Sequence, residues 1–565
     1  MKNIAYVALF TAAIALTSGQ AFAQAVPGSA DVSRVPKRLE KPTDFNDIDV
    51  SVQVEEGQER SAPAGAEKVK LKLKAIELSG ATVYSDKELM RVYGDKVGTQ
   101  ITLADVYGIA SQLTAKYRNE GFILTQVIVP PQTIETGLVK LQVVEGFIDK
   151  ISVEGQTRNN KDKIRKIAKA LTKNPPLNSK TLEHVLLILN DMPGVEARSV
   201  LSPSLTTPGA SDVAIVVSDG KKYEGFAQLD NRGSRYLGPL QMNYEGQTNS
   251  LLGFNENIAL QYVTAPDGQP DREMDFVSLS YMQPVGNFGT TLEGAVSMAW
   301  TDPGFELSQF DIKGKSESFL LRAVHPFIRT RNKNLNFSVQ FDALNSDRSD
   351  NVTVGDTEDR VRSLRLGGLY QFSDRFVGVN TIGGEISQGL DILGERGSGS
   401  TNLTKARGRS DYTKVNASIS RVQYLTDGVE LQASVKGQKS AHNLLSSEEF
   451  GIGGAEYGRA YDNSEIVGED GVAGSLEIRW DNPKEIKYVN AYQLFGFYDI
   501  GRVWDRDNTV AQNRIQSIAS LGAGVRVSVT DIIDTSLEFA MPLTRNVETR
   551  NDKDTRVFMT LSASY

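Results

Sequence analysis

The chain has no cysteine, which excludes disulfides and thiolate metal sites and sets it apart from small secreted domains held by disulfides. Histidine is nearly absent too. His184, His325 and His442 stand far apart, without the H-E-x-x-H spacing of a metal site, and each reads as structural. No G-x-S-x-G elbow and no nucleotide-binding loop occurs, so the residues point to no enzyme, no cofactor and no metal. Basic residues are in the minority: 62 Lys and Arg against 70 Asp and Glu give a net charge of −8. An acidic chain without a basic tract argues against nucleic acid as the partner. Past the N-terminal segment no apolar run is long enough to cross a bilayer as a helix. The densest, Val185–Leu189, has polar and charged residues close on both sides.

What is present begins with a leader. Lys2, an apolar run from Ile4 to Leu16 and the small-residue site Ala21-Phe22-Ala23 form a secretory signal peptide over residues 1–23, with Gln24 as the first mature residue. Its removal takes Lys2 and leaves a net charge of −9. An exported chain without cysteine suits a bacterial periplasm or outer membrane. Residues 24–68 are polar and proline-bearing and read as a linker. Within them "SRVPKRLEK" (Ser33–Lys41) has room for one or two helical turns; Pro36 opposes a longer helix, so no stable plug is expected.

From residue 69 to 220 one pattern occurs twice. In the first unit, residues 69–147, "VKLKLKAIELSG" alternates as a strand. A helix follows, capped by Thr102, with Val106, Ile109, Ala110 and Leu113 on one face and a stop at Gly121. "FILTQVIVPPQ" and "GLVKLQVVEG" complete it as strands. The second unit, residues 148–220, repeats the order with "IDKISVEG", the helices "DKIRKIAKAL" and "SKTLEHVLLILNDMPG", then "ARSVLSPS" and "DVAIVVSDG". Each is the size of a small α/β domain with helices covering one sheet face.

From residue 221 to 565 the texture changes to recurring alternating segments of about ten residues separated by turn residues. Examples are "DFVSLSYMQPV", "LNFSVQFDAL" and "VELQASVKGQ". Period two with one apolar face fits either a soluble sandwich or a membrane barrel. The length of this helix-free stretch, 345 residues, favours the barrel, as do aromatics near strand ends and a last segment with Val557, Met559, Leu561, Ala563 and Tyr565 on one face. In lipid every backbone group must be paired, so a final strand of this kind has to close on the first. At roughly 21 residues per strand and connection the region holds about 16 antiparallel strands.

Three stretches in this frame resemble a known family. "LDNRGSRYLGP" (Leu229–Pro239) is similar to its first barrel strand and turn, and "FGIGGAEYGRAYD…GEDGVAGSLEIRW" (Phe450–Trp480) to its inward-folded loop. "FYDIG" (Phe497–Gly501) resembles its F-x-D-x-G strand motif. With the leader, the linker and two units that resemble POTRA domains, the chain resembles the TpsB transporters of two-partner secretion. These are the haemolysin secretion/activation proteins, within the POTRA-barrel outer-membrane superfamily. The resemblance implies a membrane β-barrel preceded by two POTRA domains, located in the outer membrane with the POTRA domains in the periplasm. It also implies a secreted exoprotein as partner and a monomeric state. An assembly factor that inserts other barrels is the alternative reading, and a passive porin a more distant one.

Alternation in "YQLFGFYDIGRVW" puts Gln493, Phe495, Phe497, Asp499 and Gly501 on the face opposite Tyr492, Leu494, Tyr498 and Ile500, so Asp499 should face the lumen. The family's loop arginine is held at that place, which makes Arg459 the expected partner of Asp499, with Gly453, Gly454, Tyr461, Phe497 and Gly501 supporting the loop. The family motif V-R-G-Y/F reads Gly458-Arg459-Ala460-Tyr461 here, and an alanine is disfavoured if its position requires positive φ. Cargo is expected to add as a strand to a POTRA sheet edge. The candidate edge strands are Phe122–Val129 and Lys140–Val144, with Phe122, Val127, Val129, Leu141 and Val143 as substrate-binding residues.

Overall fold

The structure is a computed structural model that describes residues 26–40, 52–54, 62–266, 272–351, 356–397, 399–482, 489–506 and 514–565. The expected signal peptide, residues 1–23, lies outside the described residues. Strand β1 (Val52–Val54) is followed by the first α/β unit. There β2 (Lys70–Lys72), β3 (Ala75–Ser79), α2 (Asp86–Tyr93), β4 (Gln100–Thr102), α3 (Leu103–Asn119), β5 (Gln126–Ile128) and β6 (Leu138–Val144) follow in order; α1 (Val35–Leu39) precedes them all. Thr102 caps α3 by accepting from the Asp105 N–H, and Asp105 answers on the Thr102 N–H. Val106, Ile109, Ala110 and Leu113 are buried as their spacing predicts.

The run read as one strand from Val69 is two. The Leu73 N–H goes to Thr99 O at 3.0 Å and the Lys74 N–H to Gly137 O at 2.8 Å, so the chain leaves β4's ladder for that of β6. The three-stranded sheet has the order β3-β6-β5. That order corrects one expectation. Leu141 and Val143 sit on the central strand, buried in the core that faces α3, and present no edge. Phe122 is not in a strand either: it occupies a turn closed by the Thr125 N–H on its carbonyl at 3.0 Å and packs edge-on against Tyr84 and Tyr117. Val127 alone of the five lies on an edge strand, with Val129 one residue beyond it.

The second unit contains β7 (Phe147–Glu154), α4 (Lys161–Ala168), α5 (Ser179–Asn190), β8 (Val195–Pro203) and β9 (Ala210–Asp219), with sheet order β1-β8-β9-β7. Its helices bury Ile164, Ile167, Leu182 and Leu186 against that sheet. Sixteen antiparallel strands then form a closed barrel. The first, Tyr223–Asp230, pairs with the last, Arg556–Ser564, from Phe226↔Ser564 to Asp230↔Thr560. Outward positions are apolar and exposed: Leu494, Tyr498 and Ile500 on one strand, Val557, Met559 and Leu561 on another. Among the described residues no helix is long and apolar enough to cross a membrane; the crossing is made by strands.

The second unit is docked on the barrel. Arg329, at the turn between the sixth strand (Lys313–Arg329) and the seventh (Lys333–Ser349), holds Asp191 with two hydrogen bonds of 2.8 Å. The Arg331 N–H donates to Glu183 at 2.8 Å, and Asn255 to Asn159 at 2.7 Å. His184 faces Arg329 O at 3.1 Å, His325 faces Thr290 and His442 accepts the Thr413 N–H, three separate places in the fold.

Candidate functional site

Residues 441–469 join the eleventh barrel strand (Val429–Ser440) to the twelfth (Asp470–Asn482). The first strand leaves the second α/β unit, so by strand parity this loop starts and ends at the opposite, distal end. It folds back into the lumen as a hairpin, Phe450–Ile452 against Ile466–Gly468. Gly453 and Gly454 make its bend at φ 122° and 92°, where side chains are disfavoured. A Cβ on Gly453 would stand 2.0 Å from Asp462 O.

Past the bend Arg459 reaches the thirteenth strand, Ala491–Trp504, whose inward face carries Phe495, Phe497, Asp499 and Gly501 as the alternation predicts. Arg459 meets the Asp499 carboxylate bidentately, Nε to Oδ2 at 3.0 Å and Nη2 to Oδ1 at 2.9 Å. The backbone N–H groups of Gly458 and Arg459 donate to the same Oδ2 at 3.2 and 3.0 Å, and Ser475 and Ser520 donate at 2.7 and 3.2 Å. Six donors on one buried carboxylate leave it fully satisfied. The guanidinium lies 3.5 Å from the centre of the Phe497 ring, a cation–π contact.

The supporting residues converge. A Cβ on Gly501 would meet Ile452 Cδ1 at 2.6 Å, so Ile452 would have to shift. Tyr461 is buried, its hydroxyl 3.3 Å from Ala519 O and 3.2 Å from Arg545 O. The positive φ falls on Gly458, at 80°, while Ala460 is absent from the positive-φ residues and fully buried, its carbonyl accepting from Arg556 at 3.1 Å. The alanine is thus compatible with the loop.

Sequence reasoning missed Glu477. It pairs with Arg459 Nη1, and also accepts from Arg479 at 2.6 Å and Arg526 at 3.1 Å. The signal was present: in "GSLEIRW" Ser475, Glu477 and Arg479 alternate onto one face, and the register sets Ser475 beside Asp499 and Glu477 beside Phe497.

A second set of lumenal contacts was not expected. Residues 32–39 form a short 3-10 turn and α1, lodged in the lumen. Pro36 stands in the first turn of α1, where its missing N–H does no harm. Arg34 donates to Ser446 O at 2.5 Å and Glu449 O at 3.2 Å. Lys37 pairs with Glu448, which Arg365 at 3.1 Å and Lys414 at 2.9 Å also hold. The segment reads as a linker because its partners lie about four hundred residues away in sequence. Among the described residues, Glu449, Glu469 and Asp505 bring carboxylate oxygens within 4.8 Å of one another at metal-ligand spacing. Lys405 already serves them as cation, 2.7 Å from Glu449 and 3.1 Å from Asp505.

In the first α/β unit a groove runs between α3 and β5, lined by Tyr107, Ala110, Ser111, Thr114, Val127 and Val129 among others. The Val127 N–H is not spent on β6 but donates to Thr114 Oγ1 at 2.9 Å.

Residues 209–527 match the family described as haemolysin secretion/activation protein ShlB/FhaC/HecB, and residues 71–146 match the ShlB-type POTRA domain. The heme/hemopexin transporter protein HuxB of Haemophilus influenzae (strain 86-028NP) is 23% identical over 477 residues, 82% of this chain and 81% of the relative. The outer membrane transporter CdiB of Dickeya dadantii is 20% identical over 413 residues, 72% of each. Among solved structures CdiB from Escherichia coli superimposes with a TM-score of 0.71 at 18% identity, over 90% of this chain and 92% of that one.

Proposed function

Because the chain belongs to the haemolysin secretion/activation protein family, we propose that it is the outer-membrane transporter of a two-partner secretion system, binding an unfolded exoprotein in the periplasm and passing it through its barrel. The observation that carries this reading is a closed barrel whose lumen holds the chain's own segments, joined through the second α/β unit to a first whose edge strand lies beside a groove.

The exoprotein adds to β5 as a strand. Backbone hydrogen bonds give the affinity without requiring one sequence, and the groove takes alternate side chains. Val127 and Val129 line that groove; the incoming strand takes over the Val127 N–H from Thr114. The chain then enters the polar lumen, and folding outside makes passage one-way. Arg459 and Asp499 anchor the lumenal loop to the wall, so the loop moves as a unit or not at all. No step requires a covalent change, and the residues act by binding and positioning. A closed barrel leaves no free strand edge in the membrane, which suits a monomer.

The test is Val127→Pro, which removes the outward N–H, beside Val127→Ala, which keeps it. Export of the partner exoprotein should fall in the proline variant only, with the barrel still inserted and resistant to heat on gels. Equal export by both variants would rule out β5 as the entry strand.

A further inference from the structure

Two glutamates bracket the lumenal hairpin. Glu449 immediately precedes its first strand, Phe450–Ile452, and Glu469 immediately follows its second, Ile466–Gly468. Asp505 immediately follows the thirteenth barrel strand, Ala491–Trp504, the one that carries Asp499. Both roots of the loop therefore meet the end of the strand to which Arg459 is tied further down. All three carboxylates are buried, and one oxygen from each lies within 4.8 Å of the other two. Two oxygens bound to one calcium ion at about 2.3–2.6 Å stand at most about 5.2 Å apart, so the cluster fits a single coordination sphere.

Like charges this close repel, and burial removes the water that would screen them. The chain answers with Lys405, from the connection between the ninth strand (Gly378–Gly389) and the tenth (Thr413–Thr426). Its ammonium reaches Glu449 at 2.7 Å and Asp505 at 3.1 Å. Glu469 is served less well, and it supplies a second observation. One of its oxygens accepts the Arg506 N–H at 2.7 Å, whereas Oε1 is buried without a hydrogen-bond partner. A carboxylate oxygen left so bears its desolvation cost uncompensated. An ammonium offers three donors in fixed directions, but a divalent cation takes carboxylates singly or bidentately from any side.

We propose that Glu449, Glu469 and Asp505 form a calcium site at the cell-surface end of the barrel, with Lys405 as the cation that calcium displaces. The donors are all oxygens, without imidazole or thiolate, which selects a hard cation. A buried, irregular set of carboxylates suits the flexible shell of calcium; magnesium demands near-ideal octahedral geometry and keeps several waters. By strand parity all three connections involved lie at the distal end, facing the outside of the cell. Lys405 swings out to water as the ion enters. The ion then fastens both roots of the lumenal loop to the thirteenth strand, a second anchor beside that of Arg459. This inference needs the barrel's place in the outer membrane and is independent of the transport reading.

The experiment uses the full chain refolded into detergent without lipopolysaccharide and stripped of divalent ions by a chelator. Calcium chloride alone is the probe, in isothermal titration calorimetry. One calcium ion per chain should bind with a dissociation constant of about 0.1–1 mM, the range of extracellular sites. Magnesium should bind at least tenfold more weakly. Glu469→Gln, nearly the same in shape, should lose at least tenfold in calcium affinity. Lys405→Met, which removes the competing ammonium, should gain at least threefold. Heat-dependent gel mobility checks that each variant is folded, and if Glu469→Gln is not, Lys405→Met decides alone. No calcium binding by the unaltered chain would overturn the proposal, since Lys405 and a proton on Glu469 would then satisfy the cluster between them. An affinity unchanged in either folded variant would overturn it as well.

Discussion

At the scale of single residues, the lumenal site is a carboxylate surrounded by donors. Removing Arg459 leaves Asp499 with a buried charge and without its cation, a change that costs about 3–5 kcal/mol. Arg459→Ala and Asp499→Ala should each release the loop and reduce export while leaving insertion intact, as measured by secreted exoprotein and by heat-dependent gel mobility. Arg459→Lys should recover little, because a point charge cannot reproduce the bidentate contact or the stacking on Phe497. Asp499 was legible because a period of two assigns each side chain to a face. Glu477 lies on the same kind of strand, yet a lone strand does not reveal which neighbour it will face. That depends on register, here Glu477↔Phe497, and register is fixed by pairing across the sheet.

Elements differ in how far their own sequence specifies them. α3 was readable because its cap, its apolar spacing and its stop all lie within the segment. α2 had an equally local signal that was overlooked: Ser85 and Glu88 form a capping box in "SDKEL". Edge and centre are not local properties. β5 and β6 both alternate, and only the sheet order separates the strand that can take a partner from the one that cannot.

Two expected outcomes belong at this scale. Glu145 ties the loop at Thr82 and Val83 to α3: it accepts their N–H groups at 2.8 and 3.0 Å and the Tyr117 hydroxyl at 3.0 Å. Burial alone would raise its pKa, but these hydrogen bonds hold it below the ordinary 4.5. A depressed carboxyl contributes stability above its unfolded value and loses it as pH falls through the folded one. The first unit should therefore weaken below about pH 4.5, and Glu145→Gln should flatten that dependence in acid unfolding followed by circular dichroism. Asp191→Ala should loosen the second unit from the barrel by about 1.5–3 kcal/mol, the range for hydrogen bonds to charged groups. Faster proteolysis between residues 219 and 223 would register it; an unchanged cleavage rate would mean that the remaining contacts suffice.

For the whole molecule, closure is the condition on which everything else depends. The seam between first and last strands runs over five paired positions, from Phe226↔Ser564 to Asp230↔Thr560, whereas the eighth strand (Thr357–Ser373) pairs with the seventh over sixteen. Truncation after Thr560 would remove four of the five seam pairs and expose backbone groups to lipid. Such a chain should fail to reach the heat-resistant folded form; recovery of that form in full would show that the seam is dispensable. The barrel was legible as a class because few architectures besides a barrel sustain strand alternation over 345 residues without a helix. The segment within it was not, since residues 32–39 are short and proline-bearing and gain their structure from Glu448, Ser446 and the apolar wall that buries Val32 and Val35.

That internal segment has a consequence for the bacterium. The Arg34 and Lys37 contacts hold this segment inside the barrel, so an idle transporter should pass bulky solutes less readily with it than without it. Cells carrying a chain without residues 31–39 should become sensitive to a large glycopeptide antibiotic, in proportion to how much transporter they make, even when nothing is being secreted.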